Sequence, residues 1–240
     1  MINRAVLLAS GKGTRLRKKF KDTPKPLVRL AGKPLAYYQT KQFYDYGVTK
    51  LGLVVNNRTE RLTGILRTEF KDLKIEPLFQ KISNGTAKAL LKAKGFTGSQ
   101  NFFMTYSDNV GDFRLEYLEK KFRDTPDSLG AAQITENKAN PETAVVDLDN
   151  KIITKIDEKP DGKTGKRRLY PVFIFTQAIY KYLKNIKKAK TGEYELSNAV
   201  NNGINRGKNF YYYLNNTKRI NLNTPGDFKK AQKFLDPQAG

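Results

Sequence analysis

The stretch AVLLASGKGTRLRKKFKDTPKPLVRLAGKPL, residues 5–35, decides the fold. A short apolar run, Ala5 to Ala9, stops at Ser10-Gly11-Lys12-Gly13-Thr14-Arg15, and basic residues with Pro24-Lys25-Pro26 follow. A continuous apolar run bounded by turn residues reads as a buried strand. Glycines beyond its end let backbone N–H groups approach a phosphate closely, and lysine or arginine supplies the counter-charge. The stretch therefore reads as a phosphate-holding loop after a central strand. Two common loops of this kind do not fit. Gly11-Lys12-Gly13-Thr14-Arg15-Leu16 lacks the third glycine of G-x-G-x-x-G, and no glycine stands at position 6 to open G-x-x-x-x-G-K-[ST].

Further apolar runs at Lys50–Val55, Phe102–Tyr106, Ala131–Ile134, Thr143–Val146 and Val172–Phe175 are mostly continuous rather than alternating, as expected of strands covered on both faces. Tyr211-Tyr212-Tyr213 reads as a half-buried strand. Helices are expected over Leu35–Tyr46, Arg58–Phe70, Thr86–Ala93, Leu115–Lys121, Gln177–Ile186, Glu195–Asn205 and Pro225–Leu235. Strand and helix alternate through the first half, so the expected fold is α/β, with a mostly parallel sheet and helices on both faces. Ligands of such sheets sit outside the carboxyl ends of the strands, where the glycine loop lies.

Composition narrows the chemistry. The 240 residues can bury the core of one ordinary α/β domain, and no internal repeat interrupts them. With no cysteine and no histidine, disulfides, thiolate nucleophiles, zinc–thiolate sites and the commonest general base are excluded. Catalysis would rest on carboxylates, Lys, Arg, backbone donors or a hard metal. The formal charge of +22 fits an anionic partner without choosing among nucleic acid, an acidic surface and phosphorylated small molecules. Nucleic-acid signatures are missing, and the charge runs read first as a solvated surface. No apolar run approaches the roughly 20 residues that span a bilayer, so no membrane is expected. The start, Met1-Ile2-Asn3-Arg4, leads directly into a strand rather than a signal peptide, so a cytoplasmic location is expected.

The glycine loop is followed in order by Pro24-Lys25-Pro26-Leu27 and Ala31-Gly32-Lys33-Pro34-Leu35. G-x-G-T-R-L with a downstream P-K-P-L and G-K-P resembles the sugar-1-phosphate nucleotidyltransferase family, the enzymes that make UDP-, dTDP-, CDP- or GDP-sugars. Asp108 follows the apolar run in FFMTYSDNV, where the family carries a magnesium-holding aspartate. Glu158-Lys159-Pro160 matches the family's E-K-P, FQKISNGTAKAL its base-reading segment, and RINLNTPGDFKKA its D-x-x-T-P-x-D segment. The resemblance runs from about residue 2 to 235. It implies a Rossmann-like three-layer sandwich with a mostly parallel mixed central sheet, the nucleotide-diphospho-sugar transferase fold, as a single nucleotidyltransferase domain over residues 1–240, without a β-helix acyltransferase domain.

It also implies an enzyme joining a sugar-1-phosphate to a nucleoside triphosphate, UTP or dTTP first, with Mg²⁺ as cofactor and pyrophosphate as product. A homo-oligomer is compatible with it. Gly11, Gly13 and Thr14 would cradle the triphosphate beside Leu8 and Ala9. Arg15 would meet its β/γ end and Lys25 the α-phosphate. Gln80, Gly85 and Thr86 would face the base, Glu158 the sugar and Lys159 its phosphate. Asp108 and Asn221 would hold the metal. The attacking phosphate monoester is already largely dianionic at neutral pH, its second pKa being about 6, so no general base is required. Three positions depart from the family pattern: Ala144 replaces a glycine, Leu169-Tyr170-Pro171 replaces N-x-G, and Asn221 is neutral, as in the N-acetylglucosamine-1-phosphate uridylyltransferase branch. A CTP-dependent transferase acting on a polyol or amino-alcohol phosphate, and a non-catalytic nucleotide-binding homologue, are the alternatives.

Overall fold

A computed structural model describes residues 1–11, 20, 22–136, 144–158 and 167–235. The strands in chain order are β1 (Arg4–Leu8), β2 (Arg29–Leu30), β3 (Lys33–Pro34), β4 (Lys50–Val55), β5 (Lys74–Phe79), β6 (Phe102–Tyr106), β7 (Asn109–Gly111), β8 (Ser128–Thr135), β9 (Val145–Asp149), β10 (Ile152–Asp157), β11 (Arg168–Phe175), β12 (Asn209–Leu214) and β13 (Arg219–Asn221). The helices are α1 (Leu35–Tyr46), α2 (Leu62–Glu69), α3 (Thr86–Leu91), α4 (Lys94–Thr97), α5 (Leu115–Lys121), α6 (Ile179–Lys184), α7 (Leu196–Ile204) and α8 (Pro225–Leu235).

Among the described residues the central sheet has nine strands in the order β5-β4-β1-β6-β11-β8-β12-β10-β9. Alternation along β1 explains why both faces are covered. Val6 and Leu8 point to one face and meet Leu90 of α3, Ile179 of α6 and Val200 of α7 in one core cluster. Ala5 and Leu7 point to the other and join Phe43 of α1, Leu66 of α2 and Leu118 of α5. Each fully buried aliphatic or aromatic side chain contributes roughly 1.5–3 kcal/mol. A third cluster seats Phe228 and Ala231 of α8 on Val28, Leu30, Val110 and Ile220, bringing α8 against β2, β7 and β13.

Parallel order holds along β5-β4-β1-β6 and between β8 and β12. The sheet is mixed, as expected, and its first parallel run ends at β6. There β11 runs antiparallel to both β6 and β8, and β10 antiparallel to β12 and β9. The cause of the last pairing is a tight hairpin: Asp149 and Ile152 are register partners, and Asn150 between them takes φ 49°.

Helix α2 starts at Leu62 rather than Arg58. Asn56 closes a turn first, its Oδ1 accepting the Arg58 N–H at 3.0 Å and its carbonyl the Thr59 N–H at 2.9 Å. The expected strand at Thr143–Val146 begins at Val145, Thr143 lying outside the described residues. Strand β5, KIEPLF, shows no continuous apolar run because it is an edge strand carrying Pro77, with only Ile75 and Leu78 buried.

Candidate active site

Ser107 donates its backbone N–H to Leu8 O at 3.2 Å, so the β1–β6 ladder continues until Asp108 emerges at its carboxyl end. The chain then turns into β7, which pairs antiparallel with β13, and the Leu222 N–H bonds to Asp108 O at 3.0 Å. The segment RINLN is thereby zipped against the backbone that carries Asp108. Lys25 opens a single 3-10 turn, Lys25–Leu27, between two prolines whose fixed φ limits where its side chain can go. Its ammonium lies 3.0 Å from Asp108 Oδ2 and 3.1 Å from Asn223 Oδ1. Three segments distant in sequence thus converge on one cation, with the Lys25 side chain only 13% exposed.

An ammonium has three N–H donors, and two are spent here, which leaves one for a ligand. Asp108 Oδ1 accepts from Asn109 Nδ2 at 2.9 Å while Oδ2 faces Lys25, so each oxygen retains a lone pair. Asn221 stands opposite Asn109 in the β13–β7 ladder, and the Oδ1 atoms of both amides are buried without a hydrogen-bond partner. A buried amide oxygen left unpaired costs roughly 1–3 kcal/mol, which a cation or donor arriving there would recover. One carboxylate and one orphaned amide oxygen form a hard, all-oxygen donor set. It fits Mg²⁺, which commonly takes one or two protein oxygens and completes its shell with water and phosphate. Among the described residues no cluster of three Asp or Glu builds a full protein cage.

The base-reading segment joins the same end of the sheet. The Gln80 N–H bonds to Val55 O at 2.8 Å, and the buried Gln80 side chain accepts a hydrogen bond from Ser10 Oγ. Asn56 Nδ2 and Ser83 Oγ both donate to Ser10 O, at 2.8 and 2.6 Å. Ser10, at the mouth of the glycine loop, is therefore tied to β4 and to the segment after β5. Gly85 takes φ 127°, and a Cβ there would stand 2.4 Å from Tyr194 O, so only glycine fits. Thr86 opens α3 and accepts the Leu196 N–H at 2.9 Å, locking α3 to the start of α7.

Glu158, half-buried just past β10, comes within electrostatic reach of Tyr106 at the end of β6. Tyr106 senses it: burial raises the phenol pKa, and the negative charges of Glu158 and Asp108 raise it further. Leu8 and Ala9 are buried at the end of β1, with the Ala9 N–H on Val54 O at 2.8 Å. Gly11 is exposed. Gly13, Thr14, Arg15 and Lys159 lie outside the described residues.

Sequence reasoning missed Asn223, Arg219 and Tyr106. Asn223 lies two residues after Asn221 in the segment already singled out, but which amide meets Lys25 depends on the β13–β7 register. The Arg219 guanidinium lies 4.9 Å from the Tyr170 ring centroid, with Nη1 buried and unpartnered. Desolvation lowers its pKa, while Tyr170 and Asp108 pull it back up. Of the departures from the family pattern, Pro171 is explained by a bulge: β11 slips register against β8 between Tyr170 and Phe173, where a residue without an N–H is tolerated. Ala144 is buried, and its carbonyl accepts the Leu169 N–H at 2.8 Å.

Known proteins resemble this chain over nearly its whole length. The UTP–glucose-1-phosphate uridylyltransferase AglF of Haloferax volcanii is 29% identical over 238 residues, covering 98% of this chain and 97% of that protein. The glucose-1-phosphate thymidylyltransferase of Streptomyces antibioticus is 29% identical over 206 residues, and the match spans 85% of this chain but 58% of that protein. A structure of UDP-glucose pyrophosphorylase complexed with UDP-glucose shares the fold with a TM-score of 0.82 at 18% identity, over 99% of this chain and all of that one. So does the inositol-1-phosphate CTP transferase from T. maritima, with a TM-score of 0.82 at 21% identity over 100% and 98% of the two chains. The model of the nucleotidyl transferase family matches residues 4–234, and the chain belongs to that family.

Proposed function

We propose that the protein transfers a nucleotidyl group from UTP or dTTP to a sugar-1-phosphate, releasing pyrophosphate, with Mg²⁺ as cofactor. The observation that carries this reading is the meeting of Lys25, Asp108 and Asn223 at the carboxyl ends of β1 and β6. The sugar-phosphate oxygen attacks the α-phosphorus in line, a P–O bond forms, and the bond to pyrophosphate breaks. Since the nucleophile is already ionised, the protein's task is to position two anions and offset their charge. Lys25, clamped by two acceptors, directs its remaining N–H at the α-phosphate. The glycine loop holds the triphosphate, Arg15 its β/γ end, Lys159 the sugar phosphate and Glu158 the sugar hydroxyls. Asp108 and Asn221 would hold Mg²⁺, which when bound offsets phosphate charge. The reading takes residues 1–240 as one nucleotidyltransferase domain, is compatible with a homo-oligomer, and places the protein in the cytoplasm.

A second reading, CTP-dependent transfer to a polyol phosphate, draws on the likeness to the inositol-1-phosphate CTP transferase and on the departures at Ala144 and Pro171. One experiment separates the two. Pyrophosphate release is measured with Mg²⁺ across UTP, dTTP, CTP, GTP and ATP against sugar-1-phosphates and polyol phosphates, with Asp108→Ala as control. Turnover with UTP or dTTP and a sugar-1-phosphate, lost in the variant, is the expected result. Turnover confined to CTP and a polyol phosphate establishes the second reading, and silence across the grid overturns both.

A further inference from the structure

We propose that the protein carries a second anion site, at the opposite end of the parallel strands from the candidate active site, which binds a phosphate-bearing small molecule of nucleotide size. A cavity of about 770 Å³ opens there, inside the range of roughly 300–1,000 Å³ found for small-molecule sites. Its wall carries the cations Arg4, Lys50, Arg67, Lys71 and Lys74. Glu76 is the one carboxylate among its described lining residues.

Strand register makes this grouping costly without a ligand. Arg4, Lys50 and Lys74 each begin a parallel strand, and β1 pairs Arg4 with Lys50 while β4 pairs Lys50 with Lys74. Neighbouring strands lie about 4.8 Å apart and register partners share a face, so three cations stand side by side, an arrangement that is destabilising when unneutralised. Among the described residues none of the five basic side chains forms an ion pair with a carboxylate. Nearby Glu69 is engaged elsewhere, with Lys33 at 2.6 Å.

The two arginines are held in place by neutral acceptors that leave their charge intact. Arg4 Nη1 donates to Phe96 O at 2.5 Å, and Arg67 donates to Ile75 O through Nε at 3.2 Å and Nη2 at 2.6 Å. Phe96 adds an apolar wall, with the Arg4 guanidinium 5.8 Å from its ring centroid. Anchored guanidinium groups, lysine ammonium groups and an aromatic wall suit phosphate groups joined to a flat or apolar body. The cavity is bounded by the ends of three strands, by Arg67 of α2 and by Gly95 and Phe96 of α4, a span that matches a small molecule.

The absence of cysteine from the chain provides a direct reporter. Gly95 of α4 lines the cavity, and nothing lies within 4 Å of where its Cβ would stand, so Gly95→Cys can be labelled there with an environment-sensitive fluorophore. The labelled protein is titrated with ADP and, separately, with inorganic pyrophosphate. A saturable signal is expected, unchanged when Lys25→Ala disables the candidate active site, and weakened about tenfold or more by Lys50→Glu with Lys74→Glu. Lys50→Gln with Lys74→Gln weakens it in the same direction should the charge-reversed pair fold poorly. Lys120→Glu with Lys121→Glu on α5 changes net charge equally and leaves the signal intact. The proposal is overturned by no saturable signal with either probe, by loss of the signal in Lys25→Ala, or by equal weakening in the α5 pair. It is also overturned if only an oligonucleotide gives a signal, its affinity falling steeply with salt as phosphate-backbone binding does.

Discussion

Lys25 and Asp108 illustrate how much one pair of side chains can decide. The ammonium is anchored by Asp108 Oδ2 at 3.0 Å and Asn223 Oδ1 at 3.1 Å, so it needs little reorganisation when phosphate arrives. Lys25→Ala and Asp108→Ala are expected to lower kcat by about 10²–10³-fold or more, the range for losing one preorganised charge-stabilising group. Thermal melts of the same variants should stay within a few degrees of the parent, since the pair is partly exposed and lies outside the main core clusters. A collapse in melting temperature equal to the loss of activity would reassign the pair to structure. Asn221 supports a second prediction. Its orphaned Oδ1 marks a place where a carboxylate would find a cation, so Asn221→Asp should tighten Mn²⁺ binding about tenfold, read by paramagnetic resonance without turnover. Unchanged Mn²⁺ affinity would remove Asn221 from the metal site.

At the scale of elements, position depends on places where the backbone admits one residue type. Gly85 joins the strand end that carries Gln80 to α3, at φ 127° and with Tyr194 backbone against its α-carbon. Gly85→Ala combines a backbone strain of about 1–3 kcal/mol with a clash against main chain that cannot yield by a side-chain rotation. The expected result is a lower melting temperature together with weaker nucleotide binding by calorimetry, because the segment ties α3 to the Tyr194–Leu196 stretch. Retained affinity would show that the base-reading segment tolerates displacement. The hairpin β2–β3 gives the contrasting case. Ala31 and Gly32, at φ 45° and 79°, form a two-residue turn that the sequence reading did not include, whereas α1 follows at Leu35 as read from the sequence.

At the scale of the whole molecule, several tyrosines are folded into low-dielectric surroundings. Tyr170, fully buried, has its phenol pushed up to about 12 by burial, and Tyr180 and Tyr46 are raised for the same first reason. Below pH 10 both folded and unfolded chains keep these protons. Between pH 10.0 and about 12 the unfolded chain releases a proton from Tyr170 that the folded chain retains, so stability falls as pH rises through that window. Denaturant titrations from pH 8 to 11 should show a midpoint that is steady at first and then declines, by on the order of 2–3 kcal/mol from Tyr170 alone by pH 12. Tyr170→Phe should blunt the decline. What the sequence alone determined here was local: buried strands at Lys50–Val55 and Phe102–Tyr106, helices at Leu35–Tyr46, Leu115–Lys121 and Pro225–Leu235, and the candidate residues in their order along the chain. Continuous apolar runs, prolines and turn residues carry that information within a few neighbours. Only the tertiary structure decided that β11 and β10 run antiparallel, that Asn223 rather than Asn221 meets Lys25, and that Arg4, Lys50 and Lys74 align at the far end of the sheet. Those outcomes depend on strand register between segments up to 198 residues apart, set by the packing of both sheet faces together rather than by any one stretch of sequence.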